Sequence, residues 1–316
     1  MLIEGSKFLV IGGAGFIGSH LVDQLLENGA EKVRIYDNFT RGSLQNLAVN
    51  MNNPKLEIFD LGGDIRDKDL LRKAMSDVDG VFHLAALWLL HCVDFPRSAF
   101  HTNVEGTFNV LEACVESNIK RIVYSSSASV YGNAETVPMT EDHAFKNETF
   151  YGATKIAGEQ MLHAMHKRYS LNYAGLRYMN VYGSRQDYKG AYIAVILKIL
   201  DRIERGLNPV LHGDGKQTFD FVHVKDVAKA NICAMTSHFN GFYNVGTGIG
   251  TSLVELCEII LKLCDSELKI EYEPSLQSFV THRIGCVDKA IKEIGFKADI
   301  DLEAGLKELL DWKRLP

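Results

Sequence analysis

An open α/β fold, a parallel sheet with helices on both faces, is predicted by three observations. Short β-branched runs alternate with longer amphipathic segments through the first half of the 316 residues. The first run leads directly into a cluster of glycines, and the second ends in an aspartate. Alternation of this kind implies parallel strands joined by crossover helices. Glycines at a strand-to-helix turn let backbone amides approach a bound phosphate closely.

The elements follow in order. Lys7–Gly13 (KFLVIGG) reads as the first strand and Ser19–Gly29 (SHLVDQLLENG) as a helix closed by glycine. Lys32–Asp37 (KVRIYD) is the second strand, KLEIFDLGGD ends in the third, Gly80–Ala86 (GVFHLAA) is the fourth and Arg121–Gly132 (RIVYSSSASVYG) the fifth. Helical patterns separate them at DLLRKAMSD and VEGTFNVLEACVESN, and Asn172–Gly183 (NYAGLRYMNVYG) adds another strand. After about residue 178 the rhythm breaks. A helix at AVILKILDRIERG, a turn at HGDGKQ, a strand at FDFVHV and a helix at DVAKANICAM follow. Then come FYNVGTG, a helix around Cys257, the strand LKIEYEP and a closing helix from Leu302 to Trp312. The expected division is a sheet domain over 1–178, with part of 217–248 returning to it. A smaller mixed α/β region over 179–316 would lie at the carboxyl side of the sheet, where such folds hold ligands.

Bulk composition narrows the function. A net charge of −6 and the absence of basic runs disfavour a nucleic-acid surface. No apolar stretch approaches the ~18 residues a membrane helix needs, and glycines interrupt the N-terminal run too early for a signal peptide. A cytoplasmic protein is expected. The six cysteines are scattered singly, with Cys257 and Cys264 two helical turns apart, and read as structural thiols. The 11 histidines form no metal-binding spacing, so no protein-bound metal is expected.

The segment IGGAGFIGSH places glycines at 12, 13, 15 and 18, satisfying G-x-G-x-x-G from Gly13 and G-x-x-G-x-x-G from Gly12. A strand enters, a helix leaves, and a second strand ends in Asp37, which suits a dinucleotide. Asp37 is placed to accept from an adenosine ribose hydroxyl, and its charge would repel a 2′-phosphate. NAD is therefore favoured, with Arg41 keeping NADP open. Gly63–Ile65 (GDI) falls where an adenine would rest, and HLAA (His83–Ala86) ends the fourth strand beside the expected pyrophosphate. His83 itself reads more simply as a core histidine.

One stretch poses the chemical question. FYGATKIAGEQ sets Tyr151 and Lys155 four apart, hence on one helix face. That spacing alone arises often by chance. Taken with GGAGFIGSHL, YDN, GDIRD, NVEGTFNVLEA, VYSSSASVYG, LRYMNVYG, GDGKQTFDFVHVKDVA and FYNVGTG, in this order, the chain resembles the extended short-chain dehydrogenase/reductases. Within them it is most similar to the nucleotide-sugar epimerases, of the UDP-glucose 4-epimerase type. The resemblance implies a Rossmann-like doubly wound sheet and NAD as cofactor. It also implies a nucleotide-sugar substrate, a homodimer formed through the NVEGTFNVLEAC and Tyr151 helices, and a place in surface-polysaccharide biosynthesis.

The resemblance also assigns roles. Tyr151 is the acid/base, Lys155 holds the nicotinamide ribose, and Ser127, with Ser126 as understudy, binds the reacting hydroxyl. Cofactor contacts are expected at Gly12, Gly15, Phe16, Ile17, Gly18, Asp37, Asn38, Asp64, Ile65, Leu84, Ala85, Ala86 and Ser125, besides Tyr151 and Lys155. The expected reaction is epimerisation, at C4 through a transient ketone. A 4,6-dehydratase is disfavoured, because that branch carries an Asp-Glu pair where Ala128 and Ser129 follow Ser127.

Two departures concern the substrate. Phe219 stands just before Asp220 in TFDFVHV, where many relatives have an arginine that clamps the diphosphate. Arg283, Arg185, Lys189 or Lys216 are the candidates to replace it. LWLLHCVDFPRS makes an unusually apolar wall after HLAA, and Trp88 offers an aromatic face to a sugar. Alternatively, these residues pack into the second region or a dimer contact. Asn180 matches a position near the substrate's glycosyl phosphate, and Asn103 reads as holding a backbone turn. Two further readings stay open: a net NAD(P)-dependent dehydrogenase or reductase of the same fold, and a non-catalytic NAD-binding module. The latter predicts erosion of the Ser/Tyr/Lys set, which is complete here.

Overall fold

Along Lys7–Ile11 (β1) the side chains alternate between two buried faces. Phe8 and Val10 enter one apolar cluster and Leu9 and Ile11 another, as expected of a strand covered on both sides. The computed structural model describes residues 1–59, 62–186, 195–274 and 282–314. In it β1 is followed by α1 (Phe16–Glu27), β2 (Lys32–Tyr36), β3 (Leu56–Ile58), α2 (Lys68–Ala74) and β4 (Gly80–His83). Next come α3 (Leu89–Asp94), α4 (Pro96–Ala99), α5 (Thr107–Glu116), β5 (Arg121–Ser127), α6 (Phe150–Tyr169) and β6 (Tyr173–Tyr178). The later chain forms β7 (Asn180–Tyr182), α7 (Val195–Glu204), β8 (Val210–His212), β9 (Thr218–Phe219), β10 (Phe221–His223) and α8 (Val224–Thr236). It ends with β11 (Gly241–Val245), β12 (Thr251–Ser252), α9 (Leu253–Leu263), β13 (Glu271–Glu273), β14 (His282–Arg283) and α10 (Leu302–Lys313).

The main sheet has seven strands in the order β11-β6-β5-β4-β1-β2-β3, all paired in parallel. From β1 the chain moves outward to β3, then returns to the other side of β1 at β4. That reversal opens a crevice at the carboxyl ends of β1 and β4, where doubly wound folds bind ligands. Leu21, Val22 and Leu25 of α1 pack with Val227, Ala230 and Ala234 of α8 on one face. Leu71 of α2, Val110 and Leu111 of α5 and Leu162 of α6 cover the other. A third cluster, beyond the sheet, joins Ile196 and Leu200 of α7, Cys257 and Ile260 of α9, and Leu306 and Leu309 of α10. Among the described residues no helix is long and apolar enough to cross a membrane.

Several boundaries differ from the sequence reading, each for a local reason. α1 starts at Phe16 rather than Ser19, because Gly15 caps it and the last motif glycine, Gly18, is already helical. It closes before Gly29, which takes φ +81 while the Ala30 N–H reaches back to the Leu25 carbonyl. The fourth strand ends at His83, not Ala86, since the N–H groups of Leu84 and Ala85 both turn to the Ile11 carbonyl. The fifth ends at Ser127, whose hydroxyl caps a short 3-10 turn over Ala128–Val130. Asn172–Gly183 is two strands: Met179 N–H pairs with Val245 O, and Asn180 N–H with Asp220 O. The chain thus crosses from the main sheet (β6) to a small one (β7·β10) at a single residue. FDFVHV is likewise broken at Asp220, whose carboxylate accepts from the Thr247 and Gly248 N–H groups at 2.7 and 2.9 Å. Ahead of α5 the helix extends back to Phe100 as a π-helical stretch, Phe100–Gly106, a geometry often found beside functional sites.

Candidate active site

The glycine turn is built for close approach. A Cβ on Gly12 would lie 2.8 Å from the Ala85 nitrogen, and one on Gly18 would lie 2.1 Å from the Gly12 carbonyl oxygen. No other residue fits at either place, and Gly12 also holds φ +82. The turn opens onto a cavity of about 710 Å³. Gly12, Gly15, Phe16, Ile17 and Gly18 line it from β1 and α1. Asp37 and Asn38 line it after β2, Asp64 and Ile65 after β3, and Leu84, Ala85 and Ala86 after β4. Ser125, Ser126, Tyr151 and Lys155 close the far end. Five loops from one sheet edge thus bring together all the residues expected to contact the cofactor.

Asp37 is almost fully buried. Its two carboxylate oxygens accept from the Ala14 N–H at 2.9 Å and the Phe39 N–H at 2.8 Å. Burial raises its pKa somewhat, against those two hydrogen bonds. Each oxygen keeps a lone pair for a ribose hydroxyl. Asp64 is less free, because its carboxylate forms a bidentate pair with Arg66. A turn whose glycines leave no room for a Cβ, with a buried carboxylate 19 residues beyond Gly18, fits the pyrophosphate and ribose of NAD.

At the far end α6 begins over the carboxyl end of β5. Thr149 caps it by accepting from the Gly152 N–H at 3.0 Å. Gly158 lets the helix sit directly on Tyr124: a Cβ there would come 2.2 Å from the Tyr124 hydroxyl. The Lys155 ammonium donates to the Ser125 carbonyl at 2.7 Å and lies 5.6 Å from the centroid of the Tyr151 ring. Burial lowers the Lys155 pKa to about 8, with the charges of Cys92 and Glu159 opposing. Burial, helped by Cys92, pushes the Tyr151 phenol above its ordinary range, while a hydrogen bond from Ser127 and the Arg283 charge pull it back. Lys155 is buried and Tyr151 half-buried against the cavity, and both are electrostatically tuned, unlike the wet face of a surface helix.

The two serines differ. The Ser127 hydroxyl caps its own turn, accepting from the Ser129 N–H and donating to the Ser129 hydroxyl, each at 3.1 Å, close enough to Tyr151 to influence its phenol. The Ser126 hydroxyl is committed elsewhere, donating to the buried Glu159 carboxylate at 2.5 Å. Glu159 pairs with Arg177 at 2.7 Å, so Ser126 belongs to a buried network beneath the site. Asn103 accepts from the Leu87 N–H at 2.7 Å and donates to the Leu87 carbonyl at 2.9 Å. It holds the turn that follows β4. His83 is a buried core histidine, its Nε2 3.1 Å from the Thr107 hydroxyl.

The substrate candidates divide. Trp88 and Arg185 line the cavity, but Asn180 and Arg283 do not. Arg185 pairs with Asp23 at 2.7 Å, and its Nη1 has no hydrogen-bond partner among the described residues. Arg283 lies directly beside Phe219, its register partner across β9 and β14. Its Nε is buried with no hydrogen-bond partner among the described residues, and burial lowers its pKa to about 10. The guanidinium is charged at neutral pH and close enough to Tyr151 for their charges to couple. Lys216 lies on an exposed turn outside the cavity, and Lys189 lies outside the described residues. Asn180 donates toward the Asp220 carbonyl at 3.4 Å. The sequence reading missed Tyr178, whose hydroxyl bridges Ser125 at 2.9 Å and Asn231 at 3.0 Å inside the cavity wall. A tyrosine ending a buried strand carries no local signal of such a role.

Fold and site define a dinucleotide-binding α/β protein with a Tyr/Lys pair lining the cavity from the helix over its fifth strand. The chain belongs to the NAD dependent epimerase/dehydratase family, whose sequence profile matches residues 8–246. It is 40% identical over 309 residues, 97% of this chain and 98% of the other, to a Methanocaldococcus jannaschii protein provisionally named a UDP-glucose 4-epimerase. Among solved structures, it is similar to a UDP-N-acetylglucosamine 4-epimerase from Methanobrevibacter ruminantium in complex with UDP-N-acetylmuramic acid. That likeness has a TM-score of 0.93 and 38% identity, covering 98% of each chain. A UDP-glucose 4-epimerase from Thermotoga maritima, solved with UDP-glucose, gives 0.90 and 33%, again over 98% of each chain.

Proposed function

We propose that the protein epimerises a nucleotide-activated sugar, at C4 of the sugar, with NAD as its cofactor. The observation that carries this reading is the placing of Tyr151 and Lys155 at one end of the cavity whose other end is the glycine turn, with Ser127 beside Tyr151. Gly12, Gly15 and Gly18 would hold the pyrophosphate, Asp37 the adenosine ribose, and Lys155 the nicotinamide ribose. Bound NAD supplies a hydride acceptor and a positive charge near the phenol. Tyr151 removes the proton from the sugar hydroxyl as the carbon becomes a ketone, and returns it once the opposite face of that carbon is presented. Lys155 favours the phenolate through its charge. Ser127 donates a hydrogen bond to the same oxygens, steadying them as hydroxyl becomes carbonyl.

Arg283 is the group we assign to the substrate diphosphate. It places a charged, incompletely bonded fork beside the position where Phe219 removes one. A net dehydrogenase of the same fold is the second reading, and Phe219 is the observation in its favour. By resemblance we also propose a homodimer through α5 and α6, where Phe108 and Phe150 are exposed; a monomer mass by light scattering would remove that proposal. We place the protein in the cytoplasm, in the supply of surface polysaccharide. A deletion strain with an unchanged cell-surface sugar composition would contradict that role. Tyr151→Phe tests the chemistry: turnover should fall by at least about a thousandfold, with NAD still bound. Full activity in this variant would end the assignment.

A further inference from the structure

Arg41 follows β2 and Trp88 follows β4. These strands lie on opposite sides of β1, and because all three are parallel their carboxyl-end loops rise from one edge. The glycine turn after β1 lies between them. The Arg41 guanidinium carbon nevertheless sits 3.7 Å from the centroid of the Trp88 ring. Both residues line the cavity together with Gly15, Gly18 and Asp37. The two side chains therefore meet across the crevice, above the turn that takes the pyrophosphate.

We propose that Arg41 and Trp88 form a latch over the dinucleotide crevice that retains the cofactor between turnovers. The proposal rests on the NAD reading of the site. Each half of the latch is braced. The Asn38 side chain accepts from the Thr40 N–H at 3.1 Å and from the Thr40 hydroxyl at 2.8 Å, shaping the turn that projects Arg41. A Cβ on Gly42 would come 2.9 Å from the Asp37 carboxylate oxygens, so this loop packs against the ribose-binding acid itself. On the other side Trp88 caps α3, its ring centroid 4.9 Å from that of His91, which in turn is 5.0 Å from Phe95.

With Arg41 stacked on one face of the indole, that face is closed to a sugar ring. A dinucleotide spanning the turn leaves only after the stack opens. Retention suits an enzyme that regenerates its own cofactor in each cycle, and hinders one that must exchange it. A cation–π contact of this kind supplies roughly a tenfold change in lifetime, which corresponds to about 1.4 kcal/mol.

The test measures NAD release from purified, NAD-loaded protein, with freed NAD trapped by excess auxiliary dehydrogenase and no sugar present. Arg41→Ala, a substitution at an exposed loop position, should release NAD about tenfold faster. Trp88→Ala should match it, the double variant should be no faster than either, and Trp88→Phe should stay near wild type. The chain has two tryptophans, so Trp312→Phe leaves Trp88 as the fluorescent reporter, and its emission should shift in Arg41→Ala. Wild-type release from Arg41→Ala, or multiplied effects in the double variant, would overturn the latch. A failed sugar assay alongside the faster release expected of Arg41→Ala and Trp88→Ala would instead count against the epimerase reading and leave the latch standing.

Discussion

At the residue scale, the site depends on what each side chain is denied as much as on what it is given. Arg283 is charged and half-buried, and its buried Nε lacks a hydrogen-bond partner among the described residues. A substrate phosphate would complete its bonding, at roughly 1.5–3 kcal/mol for a charge-assisted contact. Arg283→Ala should therefore raise KM for a nucleotide sugar about 10- to 100-fold while NAD binding holds; an unchanged KM would place the diphosphate elsewhere, with Arg185 next in line. His83 shows a different denial. Burial, with the Lys155 charge, lowers its pKa to about 3 from an ordinary value of 6.5. Between those two values the unfolded chain holds a proton that the folded chain refuses. Stability at this residue therefore rises with pH, and acidification from 6.5 toward 3 loses up to about 1.4 kcal/mol per pH unit. Urea unfolding at pH 6.5 and 4.5 should show a smaller acid loss in His83→Gln than in wild type. Equal losses would mean that His83 takes up its proton without unfolding.

At the scale of elements, the Tyr151/Lys155 pair is set by how closely α6 lies on β5. Gly158 rests against the buried Tyr124 ring, and Gly152 against the Asn147 side chain and the Ser129 carbonyl. Gly158→Ala, at a helix position where alanine is otherwise favoured, should cost about 1–3 kcal/mol by overpacking. It should lower kcat more than it raises KM, because Tyr151 and Lys155 ride on this helix. A stabilised, fully active variant would show that the spacing is not critical. Much of this arrangement is legible in the sequence. The alternation of runs marks the parallel sheet, the glycine spacing marks the turn, and Tyr-x-x-x-Lys marks the helix. What stays hidden is where a strand gives way: at His83, Met179 and Asp220 hydrogen bonds to distant segments end or redirect the ladder, and no local pattern announces them. For the same reason the tie between Ser126 and Glu159, across 33 residues, could not be read from adjacent serines.

At the scale of the whole molecule, the main sheet and the later chain both bring residues to the candidate site. Tyr151 comes from the sheet side, and Arg283 from the small β12-β9-β14 sheet that also carries Phe219. Their charges are coupled, so on the proposed reading a substrate anchored at Arg283 presents its sugar to Tyr151. An anchor at the phosphate, distant from the reacting carbon, leaves a ketone free to turn and expose its other face. That freedom is what separates an epimerase from a dehydrogenase built on the same fold. The most direct measurement follows protein purified without added cofactor by NMR, with a panel of UDP-, GDP- and CDP-sugars. The expected result is a C4 diastereomer of one of them, formed with no added NAD and no net NADH. Stoichiometric NADH with a ketone product would contradict it.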